Sequence, residues 1–249
     1  MVPNEDDHRL AALLADEAGS ALVDLRARLV SAGAPSRRLK DEGDRGANAV
    51  LLARLADARP EDAVLSEEAR DDGVRLERER VWIIDPLDGT REYSEPPRTD
   101  WAVHVALCIG GEAVVGAVAL PAKGLTLTTA EPPPLAPTRE GPPRVIVSRS
   151  RPPAEATRVA EALGADLVEM GSAGAKAMAV VMGEADVYVH SGGQFEWDSA
   201  APIAVCRAAG LHTSRLDGSP LTYNHPDPYL PDLVISRPEL ADQVMAALS

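Results

Sequence analysis

Apolar residues recur at helical spacing near the start of the chain, where Leu10, Leu13, Leu14, Leu22, Leu25 and Leu29 predict a packing helix over 8–30. Gly33 and Pro35 end it. Val50, Leu51 and Leu55 predict a second helix over 47–58, closed by Pro60, and the charged run Lys40-Asp41-Glu42-Gly43-Asp44 between the two helices reads as a solvated loop. A short strand over 61–65 follows, then a polar surface loop or flap over 69–80. The unbroken apolar run 81–84 has the pattern of a buried strand. Two β-rich runs, 101–109 and 113–120, are joined by the hairpin signal Gly110-Gly111, and 125–130 adds a third strand.

From 131 to 143 proline is too dense for a helix or a central strand. This stretch reads as a linker between an N-terminal lobe, 1–130, and a C-terminal lobe, 144–249. The second lobe alternates: strand 144–148, helix 153–163, strand 166–169, helix 172–182, strand 186–190, helix 199–209, strand 232–236 and a closing helix. That alternation predicts an α/β layer.

Composition narrows the function. A chain of 249 residues is ample for a buried core, and with 3% aromatics and one Phe that core must be mostly Ala, Leu and Val. Lys and Arg number 25 against 39 Asp and Glu, a net charge of −14, which argues against a nucleic-acid polymer or an anionic membrane as partner. An anionic small substrate would need local positive charge, which metal ions can supply. No apolar run reaches transmembrane length and the polar start lacks a signal-peptide core, so a cytoplasmic location is expected. Cys108 and Cys206 lie in strand-like and helix-like runs and read as reduced core residues.

Candidate chemistry concentrates at one corner. Pro86 restricts Asp85 to extended geometry, so Asp85 ends the strand and Leu87-Asp88-Gly89-Thr90 turns at once. Asp-Pro and Asp-Gly are common turn pairs, and alone they favour a plain turn. Two acids three residues apart with an exposed carbonyl can equally chelate a hard divalent cation.

Upstream stands Leu65-Ser66-Glu67-Glu68 and downstream Glu196-Trp197-Asp198. Together with Trp82-Ile83-Ile84-Asp85-Pro86-Leu87-Asp88-Gly89-Thr90, and over about residues 40–236, the chain resembles the Mg²⁺-dependent, lithium-sensitive phosphatase superfamily of inositol monophosphatase, fructose-1,6-bisphosphatase and 3′-phosphoadenosine 5′-phosphate phosphatase. The resemblance implies an αβαβα sandwich with a mostly antiparallel N-terminal sheet and a smaller C-terminal α/β layer. It implies one Mg²⁺ on Glu67, Asp85 and the Leu87 carbonyl, a second on Asp85, Asp88 and Asp198, and room for a third near Glu67. It implies inhibition by Li⁺ and Ca²⁺, and a water oriented by Thr90, Glu67 and Asp44. Many superfamily members carry a Thr shortly before the Asp44 position, where this chain has Glu42-Gly43.

In the second lobe, Gly171-Ser172-Ala173-Gly174 opens a helix carrying Lys176, either an anion seat or a plain Ser172 cap beside a surface lysine. Asp198 reads as the start of the next helix, structural as a cap and, by the resemblance, the distant metal ligand. Arg149 in Ser-Arg-Ser, Ser172 with Lys176, and the ending Pro220-Leu221-Thr222-Tyr223-Asn224 resemble the 3′-phosphoadenosine 5′-phosphate phosphatase branch. That resemblance implies substrate contacts from Gly89, Thr90, Arg149, Ser172, Lys176, Glu196, Tyr223 and Asn224, and a small phosphorylated nucleotide as substrate. A sugar phosphate, inositol 1-phosphate or fructose 1,6-bisphosphate, is the alternative. A divalent-binding scaffold is disfavoured because the implied ligands are all present, and a nuclease because no basic stripe exists. The five His are assigned no role, and a homodimer is left open.

Overall fold

The computed structural model describes residues 2–138 and 140–249; Met1 and Arg139, the latter within the 131–143 stretch, lie outside the described residues. Helix α1 (Glu5–Ser31) starts on a capping box in which Asn4 accepts the Asp7 N–H and Asp7 accepts the Asn4 N–H. Helix α2 (Ser36–Ala58) is longer than its predicted span and takes in Lys40 to Asp44, the run expected to form a loop. The physical reason is a buried stripe, Leu39, Gly43, Ala47, Leu51 and Leu55, at four-residue spacing, while Arg37–Asp41 and Arg38–Glu42 pair on the wet face. Gly43 is a close-packing position: a Cβ there would come 2.8 Å from Leu87 Cδ2 and 2.9 Å from Tyr93 Cε1.

The first sheet comprises β1 (Ala63–Ser66), β2 (Arg80–Asp88), β3 (Ala102–Ile109), β4 (Glu112–Leu120) and β5 (Leu125–Thr128) in that spatial order. Only β1–β2 is parallel, and the short helix α3 (Thr90–Tyr93) follows β2. Strand β2 does not stop at Asp85. It runs to Asp88 across a register irregularity opposite His104 to Ala102, where Pro86 costs no ladder bond, and Gly89 then turns at φ +83°.

The second sheet is ordered β7 (Asp166–Met170), β6 (Arg144–Ser148), β8 (Val187–Phe195), β10 (Tyr229–Ser236) and β9 (His212–Ser214), parallel around β6 and antiparallel around β10. Strand β8 extends beyond the predicted 186–190 because β10 starts at Tyr229 and pairs with it as far as Phe195. The three-residue β9 is too short to leave a periodic signal.

Helices α1 and α2 cover one face of the first sheet, burying Leu14, Leu22, Leu51, Trp82, Ile84 and Val105. Helices α5 (Ala173–Val181) and α6 (Glu196–Ala208) lie between the sheets, in a cluster that joins Leu65 and Ile83 of one sheet to Ile146, Tyr188 and Ile235 of the other. Helices α4 (Ala154–Leu163) and α7 (Ala241–Leu248) close the outer face of the second sheet over Val145, Val189 and Val234. This is a five-layer αβαβα sandwich. Cys108 and Cys206 are free and buried, and among the described residues no helix is long and apolar enough to cross a membrane.

One ion network pins α1 to the first sheet. The buried Asp7 carboxylate accepts from Arg80 at 2.8 Å and from Arg59 at 3.1 Å, while Arg80 also binds Asp62. Burial pushes the Asp7 carboxyl up, and Arg80, the Asn4 N–H and Arg59 pull it down further, leaving it below the ordinary carboxylate value. A depressed folded value stabilises the fold above the unfolded carboxyl's pKa, and that gain disappears as pH falls through the folded one. Asp7→Ala should therefore cost about 3 kcal/mol at pH 7, and the deficit should shrink as pH drops below about 4. Urea unfolding of both proteins across pH 3 to 7 measures it; a deficit independent of pH would assign the loss to packing alone.

Candidate active site

The corner after β2 faces the amino ends of α5 and α6, and there Asp85, Asp88 and Asp198 each bring one carboxylate oxygen within 4.8 Å of the others. Asp85 is buried and accepts the Leu87 N–H at 3.0 Å, which folds the Leu87 carbonyl into the corner. Burial, then the charges of Glu67, Asp88 and Asp198, raise its carboxyl well above the ordinary range. Asp198 is the third residue of α6 rather than its start, and its Oδ2 accepts the Phe195 N–H at 2.7 Å. Burial and the charge of Asp88 push it up to about 7. Glu67, delivered just past β1, is likewise raised to about 7 by burial and then by Asp198.

Asp88 is different. Its Oδ2 accepts Ser172 Oγ at 2.5 Å and the Gly174 N–H at 2.7 Å, its Oδ1 accepts the Ala173 N–H at 3.1 Å, and His104 Nε2 lies 3.3 Å away. Burial alone would raise this carboxyl, but His104, Lys176 and Ser172 hold it far below the ordinary value. The first turn of α5 is therefore occupied by Asp88, in the way a helix amino end accommodates an anion.

Thr90 Oγ1 lies 3.2 Å from Asp44 Oδ1 and 3.1 Å from the Leu87 carbonyl oxygen. Asp44 stands on α2, and burial followed by the charge of Glu68 raises it to about 6. Glu67, Asp85, Leu87, Asp88, Thr90, Asp44 and Asp198 thus converge on one corner. The carboxylate set suits a hard divalent cation, since three of its acids hold their charge at a cost that a bound cation would remove.

The residues implied as substrate contacts are differently engaged. Lys176, 5% exposed, donates to the carbonyls of Gly171 at 3.0 Å and Ser172 at 2.7 Å and stands over the Tyr188 ring. Arg149 binds Glu92 at 2.7 Å and Glu95 at 2.8 Å. Tyr223 is buried with its hydroxyl 3.3 Å from Ser199, and a Cβ on Gly89 would stand 3.0 Å from Ser172 Cβ and 3.3 Å from Trp101 Cα. Glu196, buried, accepts the N–H groups of Asn224 and His225 at 2.7 and 2.8 Å. Asn224 in turn exchanges hydrogen bonds with Arg75, whose side chain is 1% exposed, so the otherwise mostly exposed 69–80 surface stretch is anchored at Arg75.

His104 is the functional residue that sequence reasoning missed. Fully buried on β3, it places Nε2 against Asp88 and Nδ1 3.0 Å from the Trp197 carbonyl, and so links the two segments that carry Asp88 and Asp198. Its one signal was a polar residue inside the apolar run 101–109, in register with Asp85. Gly174 makes room for it, since a Cβ there would stand 2.0 Å from Nε2.

These environments separate three acids that repel one another, Glu67, Asp85 and Asp198, from one that is satisfied, Asp88. Asp198→Asn should raise the melting temperature in chelator, by about 1 to 2 kcal/mol in stability, because a repelled, half-buried charge is removed. Asp88→Asn should lower it by about 2 kcal/mol, because the donors around it lose a charged acceptor. Thermal unfolding in EDTA compares them, and equal shifts of the same sign would refute the distinction.

The inositol monophosphatase family matches residues 10–249. The 3′-phosphoadenosine 5′-phosphate phosphatase of Mycobacterium leprae is 52% identical over 97% of this chain and 93% of its own length. The 3′(2′),5′-bisphosphate nucleotidase CysQ of Escherichia coli K12 is 31% identical over 75% of this chain and 80% of its own. Among solved structures, CysQ from Bacteroides thetaiotaomicron, a bacterial member of the inositol monophosphatase family, superposes with a TM-score of 0.77 at 26% identity, covering 94% of this chain and 97% of that one. An inositol monophosphatase from Anabaena shares the fold at a TM-score of 0.72 and 21% identity, over 97% and 94% of the two chains. With the acidic corner, the layered fold and these likenesses together, the chain belongs to the inositol monophosphatase family, whose members depend on metal ions.

Proposed function

We propose that this chain is a Mg²⁺-dependent phosphomonoesterase of the cytoplasm that removes the 3′-phosphate of 3′-phosphoadenosine 5′-phosphate, and of its sulfated form, leaving a 5′-nucleotide, in service of sulfur assimilation. The observation that carries the chemistry is the convergence of Asp85, Asp88 and Asp198 within 4.8 Å, beside Glu67 and the Thr90–Asp44 pair. The substrate is supported by the name of relatives that are 52% and 54% identical to this chain.

Glu67, Asp85, the Leu87 carbonyl, Asp88 and Asp198 would hold two Mg²⁺, with a third near Glu67. The ions, when bound, would supply Lewis acidity to the attacking and leaving oxygens of an in-line displacement at phosphorus. Thr90 would hold and orient the attacking water, with its hydroxyl aimed by the Leu87 carbonyl and Asp44. Asp44, raised to about 6 and beside Thr90, is suited to take up the proton that this water loses, and Glu67 would help orient the water. No Cys, Ser or His is needed as a nucleophile.

Phosphate release over a panel of 3′-phosphoadenosine 5′-phosphate, inositol 1-phosphate and fructose 1,6-bisphosphate tests the reading. Turnover should require Mg²⁺, stop in EDTA and fall with Li⁺ or Ca²⁺, and kcat/KM should favour the nucleotide at least tenfold. A tenfold preference for either sugar phosphate, about 1.4 kcal/mol, would overturn the substrate, and full turnover in EDTA would overturn the metals.

A further inference from the structure

The cations first associated with a second phosphate, Lys176 and Arg149, are committed to backbone carbonyls and to glutamates. Arg151 is not. It is exposed, and among the described residues its guanidinium enters no ion pair and no hydrogen bond; only its backbone N–H is used, by Ser148 Oγ. The nearby Glu155 is taken up by Ser191 Oγ at 2.8 Å.

The guanidinium of Arg151 hangs over the glycine bulge of β8: its Nη1 lies 3.6 Å from the place a Cβ on Gly193 would occupy. Gly192 and Gly193 are exposed at φ +76° and +77°, and a Cβ on Gly192 would meet nothing within 4 Å, so the space beside the arginine is open. The same strand continues into an aromatic platform. Phe195 stacks on Trp197 with centroids 4.9 Å apart at 11° and meets Tyr229 edge-on at 5.9 Å. Phe195 and Tyr229 stay 38% and 44% exposed, which is unusual in a chain with 3% aromatics. The platform is tied to the metal corner directly, since the Phe195 N–H donates to Asp198. One residue separates Gly193 from Phe195, a Cα span of at most about 7 Å, and the Gly193 N–H donates to Tyr229 Oη at 3.3 Å, so the arginine and the platform share one end of β8.

From this arrangement, and resting on the nucleotide reading above, we infer that Arg151 and the aromatic surface of Phe195 and Tyr229 form the subsite for the 5′-phosphate and base of the nucleotide. A planar guanidinium pairs with phosphate through two parallel N–H groups, and an exposed ring offers a base a stacking face. Both features act on the part of the substrate that the reaction leaves unchanged, so they set specificity rather than chemistry.

Titration with adenosine 5′-phosphate and with adenosine, in Mg²⁺, tests the subsite. Trp197 is the half-exposed tryptophan while Trp82 and Trp101 are fully buried, so fluorescence reports on the platform. The unaltered protein should bind the nucleotide at least tenfold more tightly than the nucleoside. Arg151→Ala should erase that difference, and Phe195→Ala should weaken both ligands at least fivefold; both side chains are exposed, so the fold should tolerate their loss. Retention of the tenfold difference in R151A, or no binding of adenosine 5′-phosphate to the unaltered protein, overturns the subsite. Poor turnover of 3′-phosphoadenosine 5′-phosphate with the binding pattern intact overturns the function proposed above and supports the subsite.

Discussion

The Asp88 carboxylate lies at the amino end of α5, and Ser172, Ala173, Gly174 and His104 converge on its two oxygens from segments distant in sequence. Each hydrogen bond to a charged acceptor of this kind is worth about 1.5 to 3 kcal/mol, and the helix dipole adds to it. This contact fastens the end of the first sheet to the central helix layer. Everything at the corner takes its position from it: Asp85 and the Leu87 carbonyl through the turn, and Asp198 through His104 and the Trp197 carbonyl.

The same contact creates the electrostatic asymmetry of the site. Asp88 is satisfied by the protein, whereas buried Asp85, half-buried Asp198 and the more exposed Glu67 stand near one another with too few donors to hold their charge at ordinary pH. Such a trio is unfavourable unless a cation joins it, which is why the arrangement makes sense as a metal corner and poorly as a structural cluster. Fold stability lost in the repulsion is available as affinity for a divalent ion.

Positive charge follows the opposite rule. With a net charge of −14, the protein engages two arginines near its site internally: Arg149 on Glu92 and Glu95, Arg75 on Asp71 and the Asn224 amide. Lys176, on α5, is buried, where it donates to the Gly171 and Ser172 carbonyls and stands near the charges of Asp88 and Asp198 rather than facing solvent. An anionic substrate must therefore be met by bound metal and by cations whose side chains are left unpaired, of which Arg151, beside the glycine bulge of β8, is one.

Local chemistry made the acidic corner legible in the sequence: an apolar run stopped by Asp-Pro-Leu-Asp-Gly-Thr needs no tertiary contact to be recognised, and the alternating second lobe reads as α/β for the same reason. The packing helix α1 and the hairpin of β3 and β4 are likewise products of short-range periodicity. Tertiary structure decided the rest. Lys40 to Asp44 became helical because Gly43 had Leu87 and Tyr93 to pack on, a contact invisible to local propensity. His104 acquired a role only when β3 was laid against β2 and α5, and Lys176 lost its presumed exposure when α5 was enclosed between two sheets. Residue type and spacing establish which groups can ligate a metal, but only the packing of distant segments determines which charges are already spent and which remain for a ligand.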